Sequence, residues 1–195
     1  MEIAKMETVL HFQPVIEVSD EDFYAFCQLN RDVCIERNAQ GDVIIMPPAG
    51  GETSERNAEI TMQLRFWAKG DGTGASFDSS GGFQLPNGAV RSPDAAWIEY
   101  TRLMALSPED RRKFVPLCPD FVIELRSESD QLAPLQEKMR EYLDNGLSLG
   151  WLIDPYTRRV YVYRSGLPVE ELEQPSRISG DPVLRGFELD LDEVW

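Results

Sequence analysis

The segment Phe121-Val122-Ile123-Glu124-Leu125 carries a single acidic residue in an otherwise apolar run. Bulky apolar residues at the other four positions are typical of a strand that is buried on both faces. An ionised carboxylate in such a strand costs several kcal/mol unless a proton or a cation neutralises it. The sequence therefore predicts a buried strand over residues 121–125, with a neutralising partner next to Glu124.

A second acid, Asp94, has the same apolar setting in the segment Ser92-Pro93-Asp94-Ala95-Ala96-Trp97-Ile98. It falls inside a predicted hairpin that pairs residues 75–85 with residues 89–100 across an Asn-Gly turn. If Asp94 and Glu124 lie about 4 Å apart on adjacent strands, their repulsion is on the order of 4 kcal/mol at an effective dielectric constant near 20. They must then share a proton or a cation, and Mg²⁺ prefers carboxylate oxygens. The alternative is that each acid pairs with an arginine or accepts backbone N–H groups at a strand end.

The elements around these two strands predict an α/β fold of the mixed α+β type, in which helices sandwich a mixed sheet. The sequence predicts one domain over residues 1–195, with a core of about 51–165, an N-terminal decoration of 1–50 that holds an extra helix and a hairpin, and an acidic C-terminal segment of 166–195. The remaining predicted elements are helices over 19–30, 53–69 and 134–145 and strands over 33–36, 43–46, 149–153 and 160–163.

The charge and the residue types exclude several classes of protein. Nineteen basic and 34 acidic residues give a net charge of −15, which argues against loose, sequence-blind binding to nucleic acid. No apolar run reaches the roughly 20 residues that span a bilayer. Met1–Glu7 carries acids where an export signal needs basic residues, so we expect a cytoplasmic protein. The single histidine, His11, argues against histidine-based hydrolase triads and histidine-rich metal sites.

Cationic and aromatic side chains lie within reach of the paired acids. Arg126 shares the strand face of Glu124 at about 6 to 7 Å, because alternate residues of a strand point to the same side. Lys138 and Tyr142 flank the apolar stripe of the helix that follows, so both could lean over the strand ends. A solvated lysine and a packed tyrosine are the alternative for an isolated helix.

Three polar residues are weaker candidates for the same site. Asn57 lies on the apolar face of its helix, so it is expected to be a buried amide that caps a backbone group or reaches the site. Glu36 closes a short strand, which an exposed hairpin position explains equally well. Asp120 shares the face of Glu124 but lies roughly 13 Å away, too far for the same metal cluster.

Four segments together resemble bacterial restriction-endonuclease-like proteins of the PD-(D/E)XK nuclease superfamily. They are residues 92–98, 119–127, 138–142 and 149–155. The resemblance implies that Asp94 and Glu124 ligate Mg²⁺ or Mn²⁺, which positions a water and stabilises charge on the attacked phosphate. It also implies a lysine that orients or deprotonates that water, or neutralises the phosphate.

This sequence departs from the superfamily pattern at two positions. Arg126 stands two residues after Glu124, and a guanidinium does not act as a general base in proteins. Lys138 would then take the role of the lysine, with Arg126 contacting phosphate. Asn57 occupies a position where many relatives carry histidine.

The resemblance implies a metal-dependent endodeoxyribonuclease with DNA as its partner. A homodimer is expected for cleavage of both strands, since one site per chain then needs two copies. The rival hypothesis is a catalytically weak or inactive nuclease-fold module that acts through protein or nucleic-acid binding. The net charge and Arg126 favour this rival. An enzyme that acts on a small acidic metabolite is a weaker option, because an acidic protein repels that substrate as well.

Overall fold

Four helices and thirteen strands follow one another in the computed structural model, which describes residues 7–195. In chain order they are β1 (Thr8–Leu10), α1 (Asp20–Leu29), β2 (Cys34–Arg37), β3 (Val43–Met46), α2 (Gly51–Asp71), β4 (Gly74–Asp78), β5 (Phe83–Gln84), β6 (Val90–Arg91), β7 (Ala95–Glu99), α3 (Tyr100–Ala105), β8 (Phe121–Leu125), α4 (Leu132–Asp144), β9 (Leu149–Asp154), β10 (Arg159–Arg164), β11 (Glu170–Glu173), β12 (Arg177–Ser179) and β13 (Glu188–Asp190). A 3₁₀ turn covers Asp110–Arg112. The expectation that Met1–Glu7 is not an export signal concerns residues that, apart from Glu7, lie outside the described part of the chain.

A six-stranded mixed sheet in the order β11-β10-β9-β8-β7-β4 forms the centre of the fold. β8 and β9 run parallel, and the other neighbouring strands run antiparallel. A parallel pair needs a crossover connection, and α4 supplies it. All five residues of β8 are buried. The predicted mixed sheet with helices is therefore confirmed.

Strand alternation divides the core into two layers and decides where Glu124 points. Phe121 and Ile123 pack on one face of the sheet, together with Leu64 of α2. Val122 packs on the other face with Met139 of α4. Because successive side chains of a strand point to opposite faces, Glu124 shares the face of Val122 and points toward α4.

The acidic segment 166–195 contributes apolar side chains to the first of these layers. Phe187, Leu189, Leu191 and Val194 are buried in it. The segment thus covers the sheet face that α2 covers only in part. The division of the chain into a core of 51–165 with two flanking segments stays a prediction.

The predicted hairpin over residues 75–100 is wrong in its length, because both of its strands are interrupted. β4 and β7 belong to the six-stranded sheet, whereas β5 and β6 belong to a second sheet in the order β1-β3-β2-β6-β5. A turn interrupts the first strand where the Ser80 N–H donates to Asp78 Oδ1 at 3.0 Å. Pro93 interrupts the second, since proline has no N–H for a strand ladder. Asp94 accordingly lies immediately before β7 and not inside a strand.

The second sheet attaches the N-terminal hairpin to the core. β2 and β3 pair antiparallel, as predicted, and β2 also pairs with β6 at Arg37 and Val90. One face of β2 packs on α1, where Ile35 of the strand and Phe23 of the helix belong to the same apolar cluster. This arrangement directs the side chain of Glu36 away from α1, because neighbouring residues of a strand point to opposite faces.

Within the described part of the chain, no helix combines the length and the apolar character that crossing a bilayer requires.

Candidate active site

Asp94 lies beside the end of β8, where two hydrogen bonds hold its carboxylate. Oδ2 accepts the N–H of Leu125 at 2.8 Å, and Oδ1 accepts a hydrogen bond from Asn57 Nδ2 at 2.7 Å. The first bond ties Asp94 to the residue next to Glu124. Burial raises the pKa of Asp94, and these two hydrogen bonds and the charge of Lys138 oppose that shift.

Glu124 lies in β8 with 4 % of its surface exposed. Its Oε1 forms an ion pair with Lys138 Nζ at 2.9 Å and accepts a hydrogen bond from the Tyr142 hydroxyl at 3.0 Å. Its Oε2 accepts no hydrogen bond from residues 7–195. Burial raises the pKa of Glu124 to about 7; the charge of Lys138 opposes this shift, and the charges of Asp94 and Glu36 add to it. One oxygen of this carboxylate is thus committed to the protein, and the other is available to a ligand.

Lys138 of α4 bridges two carboxylates. Its Nζ lies 2.9 Å from Glu124 Oε1 and 2.9 Å from Glu36 Oε1. Burial alone would lower the pKa of Lys138, but the charges of Glu124 and Glu36 outweigh it and raise the pKa above the usual lysine value. Lys138 is therefore an ammonium ion at neutral pH. In this arrangement it supplies positive charge next to both carboxylates.

Glu36 is 2 % exposed, so the alternative of an exposed hairpin position does not hold. Its Oε1 accepts the N–H of Ser92 at 2.8 Å in addition to Lys138, and its Oε2 accepts a hydrogen bond from Arg91 Nη1 at 3.0 Å. Burial alone would raise the pKa of Glu36, but the charges of Lys138 and Arg91 bring it below its usual value. Glu36 is ionised at neutral pH.

Two further residues extend this network and were missed by the sequence reasoning. Arg91 Nε lies 2.6 Å from Glu141 Oε2. Glu141 also accepts a hydrogen bond from Asn87 Nδ2 at 3.0 Å. The available signals were the place of Arg91 next to the Ser-Pro-Asp segment and the spacing of three residues between Lys138 and Glu141, which puts both on one face of a helix.

Arg126 and Asp120 lie outside the network. Arg126 Nη1 bonds Asp154 Oδ2 at 2.7 Å, and its Nε donates to the carbonyl oxygen of Asp130 at 3.1 Å. Asp120 pairs with Arg102 and accepts the N–H of Glu99 at 2.9 Å. Direct side-chain contacts therefore join Glu36, Lys138, Glu124 and Tyr142. Asp94 and Asn57 contact each other and are linked to this group through the Leu125 N–H, whereas Arg126 has a separate partner.

The charges of the network favour a divalent cation. Four carboxylates face two cations, so the fully ionised cluster has a formal charge of −2; the members are Glu36, Asp94, Glu124 and Glu141 with Lys138 and Arg91. No group of three or more potential ligands with metal-holding geometry occurs among residues 7–195. Mg²⁺ commonly binds through one or two carboxylates and keeps several waters. Asp94 and the free oxygen of Glu124 fit such an ion.

Comparisons with known proteins agree with the fold. The crystal structure of a putative nuclease belonging to DUF820 from Anabaena variabilis ATCC 29413 superposes with a TM-score of 0.70 at 20 % sequence identity, over 83 % of this chain and 89 % of that chain. At this identity the likeness establishes the fold. A search of curated protein sequences finds no match.

A family model covers residues 20–192, which include every member of the network. Its description is Uma2, putative restriction endonuclease. Because the match extends over most of the chain and over the whole candidate site, the chain belongs to the Uma2 family.

Proposed function

We propose that this protein is a Mg²⁺- or Mn²⁺-dependent nuclease that hydrolyses phosphodiester bonds of DNA, with Asp94 and Glu124 as the metal ligands. The observation that carries the proposal is that Asp94 bonds the backbone N–H of Leu125, the residue next to Glu124, and has the neutral Asn57 as its side-chain donor, while Glu124 Oε2 accepts no hydrogen bond within residues 7–195. Membership of a family described as restriction endonucleases supports a nuclease activity.

Asp94, Glu124 and the side chains that contact them have separate tasks in such a reaction. A bound divalent ion would lower the pKa of a water and polarise the phosphoryl oxygen. Asn57 and the Leu125 N–H fix the orientation of Asp94. Tyr142 donates to Glu124 Oε1 and leaves Oε2 free. Lys138, as an ammonium ion, stabilises the negative charge that develops on the phosphate.

The net charge of −15 does not prevent a DNA substrate, because much of it lies at the chain ends. Residues 170–173 form β11, which is three strands from β8 and thus about 14 Å away across the sheet. Physiological salt screens charges over about 8 Å. Glu170, Glu171 and Glu173 are also paired with arginines of β10. The acidic side chains of β11 are therefore weak opponents of DNA at the site.

The test is cleavage of a supercoiled plasmid by the purified full chain with and without Mn²⁺ or Mg²⁺. We expect wild-type cleavage only with metal, and a loss of roughly 100-fold or more for Asp94→Asn. Asp120→Asn is the matched control, since Asp120 also follows a proline at the start of a strand but lies outside the network. A wild type without metal-dependent cleavage, or equal cleavage by Asp94→Asn, would contradict the proposal.

The second candidate is a nuclease-fold module that binds without turnover. The favouring observation is that Arg126, at the position of the superfamily lysine, bonds Asp154 and Asp130. This candidate predicts no cleavage with any metal and little thermal stabilisation by Mn²⁺. Wild-type unfolding curves with and without Mn²⁺ separate the two candidates.

We include homodimerisation in the proposal for double-strand cleavage, because one site per chain cuts one strand at a time. Sedimentation of the protein with a duplex oligonucleotide tests it. A 2:1 protein to duplex complex is expected, and a 1:1 complex that still cuts both strands would contradict it.

A further inference from the structure

Glu36 comes from the N-terminal hairpin and touches neither Asp94 nor Glu124, yet it is bonded to the lysine of the site. We propose that Glu36 is a positioning residue that retains the Lys138 ammonium at the reaction centre when a divalent ion takes up the charge of Glu124. This inference rests on the proposed function and assigns a role that the metal ligands cannot fill.

Glu36 is held more firmly than an ordinary partner of a lysine. Three donors from two other elements reach its two oxygens: the Ser92 N–H, Arg91 Nη1 and Lys138 Nζ. It is buried, so bulk water does not compete for these bonds. A carboxylate fixed in this way presents Oε1 at one place, and the long, flexible side chain of Lys138 is ordered against it.

The two carboxylates that bond Lys138 differ in what else they do. Glu124 is a proposed metal ligand, so an ion on it reduces the negative charge that Lys138 feels. Glu36 has no such competitor, because its remaining partners are Arg91 and the Ser92 N–H. With Glu36, Lys138 keeps a charged partner after the ion binds. Without it, Lys138 stays on Glu124 and opposes the ion.

The contacts of Arg91 allow an experiment to distinguish the positioning of Lys138 by Glu36 from a purely structural role, in which Glu36 attaches the N-terminal hairpin to the core. Arg91 bonds Glu36 on one side and Glu141 on the other. Glu141→Gln therefore weakens the hold on Arg91 but leaves the Glu36 to Lys138 contact in place. If Glu36 only fastened the hairpin to the core through Arg91, Glu141→Gln and Glu36→Gln would have similar effects.

The experiment measures kcat and KM for metal-dependent cleavage of a duplex oligonucleotide by the wild type and by E36Q, K138M, E36Q/K138M and E141Q. We expect E36Q to lower kcat by roughly 30-fold or more with KM changed less than about threefold, since the effect falls on the transition state. In the K138M background, E36Q should change kcat by less than about threefold, because the residue through which it acts is gone. E141Q should lower kcat less than E36Q does, because the contact between Glu36 and Lys138 remains in place.

A second readout, the Mn²⁺ dissociation constant from calorimetry, does not depend on turnover. E36Q should weaken Mn²⁺ binding more in the Lys138 background than in the K138M background, because a lysine released from Glu36 competes for Glu124. E36D keeps the negative charge, but its shorter side chain brings the carboxylate less close to Lys138. If E36Q does not fold, E36D replaces it, and it should also weaken Mn²⁺ binding more in the Lys138 background than in the K138M background.

Each outcome decides the matter. Equal effects of E36Q in both backgrounds, or an E141Q variant as impaired as E36Q, would overturn the positioning role and leave the nuclease proposal intact. A wild type that binds Mn²⁺ but does not cleave would overturn the nuclease proposal, and the coupling of Mn²⁺ affinities would still decide the role of Glu36. A wild type that does neither would overturn both.

Discussion

Pro93-Asp94 and Pro119-Asp120 stand before two neighbouring antiparallel strands, β7 and β8, and therefore at opposite ends of that strand pair. Each aspartate accepts the backbone N–H of the last residue of the other strand, at Leu125 and at Glu99 respectively. Both aspartates therefore accept the same kind of backbone hydrogen bond, but the side chains around them differ. Asp120 has Arg102 as a partner, whereas Asp94 has the neutral Asn57 and the acidic Glu124 nearby.

The difference shows that a strand-end aspartate becomes a candidate metal ligand through the charges around it. At Asp120 the guanidinium of Arg102 completes a local ion pair. At Asp94 the nearest side-chain donor is an amide, so the carboxylate keeps its capacity for a cation.

Asn57→Arg would give Asp94 the kind of partner that Asp120 has. We expect Mn²⁺ affinity to fall by at least about 100-fold, because a guanidinium next to Asp94 repels a divalent ion and neutralises its ligand. Calorimetric titration measures this effect, and circular dichroism checks that the variant is folded. Asn57→Gln, which stays neutral, is the control. An Asn57→Arg variant that binds Mn²⁺ as tightly as the control would contradict the charge argument.

The pH dependence of stability should reveal the burial of Glu124. Its pKa is about 7 in the folded protein against 4.5 ordinarily, so the folded state binds the extra proton between these values. The free energy of unfolding therefore falls as the pH rises from about 4.5 to 7, by about 2–3 kcal/mol for this group. Glu124→Gln lacks this titration, so the difference between the two proteins isolates it.

Urea unfolding curves at several pH values measure the difference. Mn²⁺ should restore stability to the wild type above pH 7 and leave Glu124→Gln unchanged. A difference between the two proteins that does not vary with pH would show that Glu124 is ionised throughout this range.

Arg102→Met removes the cation from the Asp120 side of the comparison. We expect a loss of about 1–2 kcal/mol in the free energy of unfolding, because a largely buried carboxylate remains without its partner while the backbone bond to Glu99 persists. Chemical denaturation gives this value, and plasmid cleavage by the variant should match the wild type. A large loss of cleavage would mean that the two strand ends are not independent.

Much of the secondary structure could be predicted from local sequence. The apolar run of β8 with its single acid, the turn between β2 and β3 and the amphipathic α4 are short-range signals, and all three elements are present. The interruption of the 75–100 hairpin was not predictable in this way. β5 and β6 leave the main sheet to pair with the N-terminal hairpin, and that pairing depends on β2, about fifty residues earlier in the chain.

The same contrast between short-range signals and long-range contacts applies to the candidate site. Asp94 and Glu124 stood out because an acid in an apolar segment is a local anomaly. The burial of Glu36 was not predictable, since its partners Lys138 and Arg91 lie 102 and 55 residues further along the chain. Arg91 and Glu141 are 50 residues apart and carried no local signal of their pairing.

The most direct measurement is anomalous diffraction from a crystal of the wild-type protein soaked in Mn²⁺. We predict one ion coordinated by a carboxylate oxygen of Asp94 and by Oε2 of Glu124, with Lys138 still bonded to Glu36. A crystal that binds Mn²⁺ elsewhere, or binds none while Glu124 keeps only Lys138 and Tyr142 as partners, would contradict the claim that these two acids form a metal site.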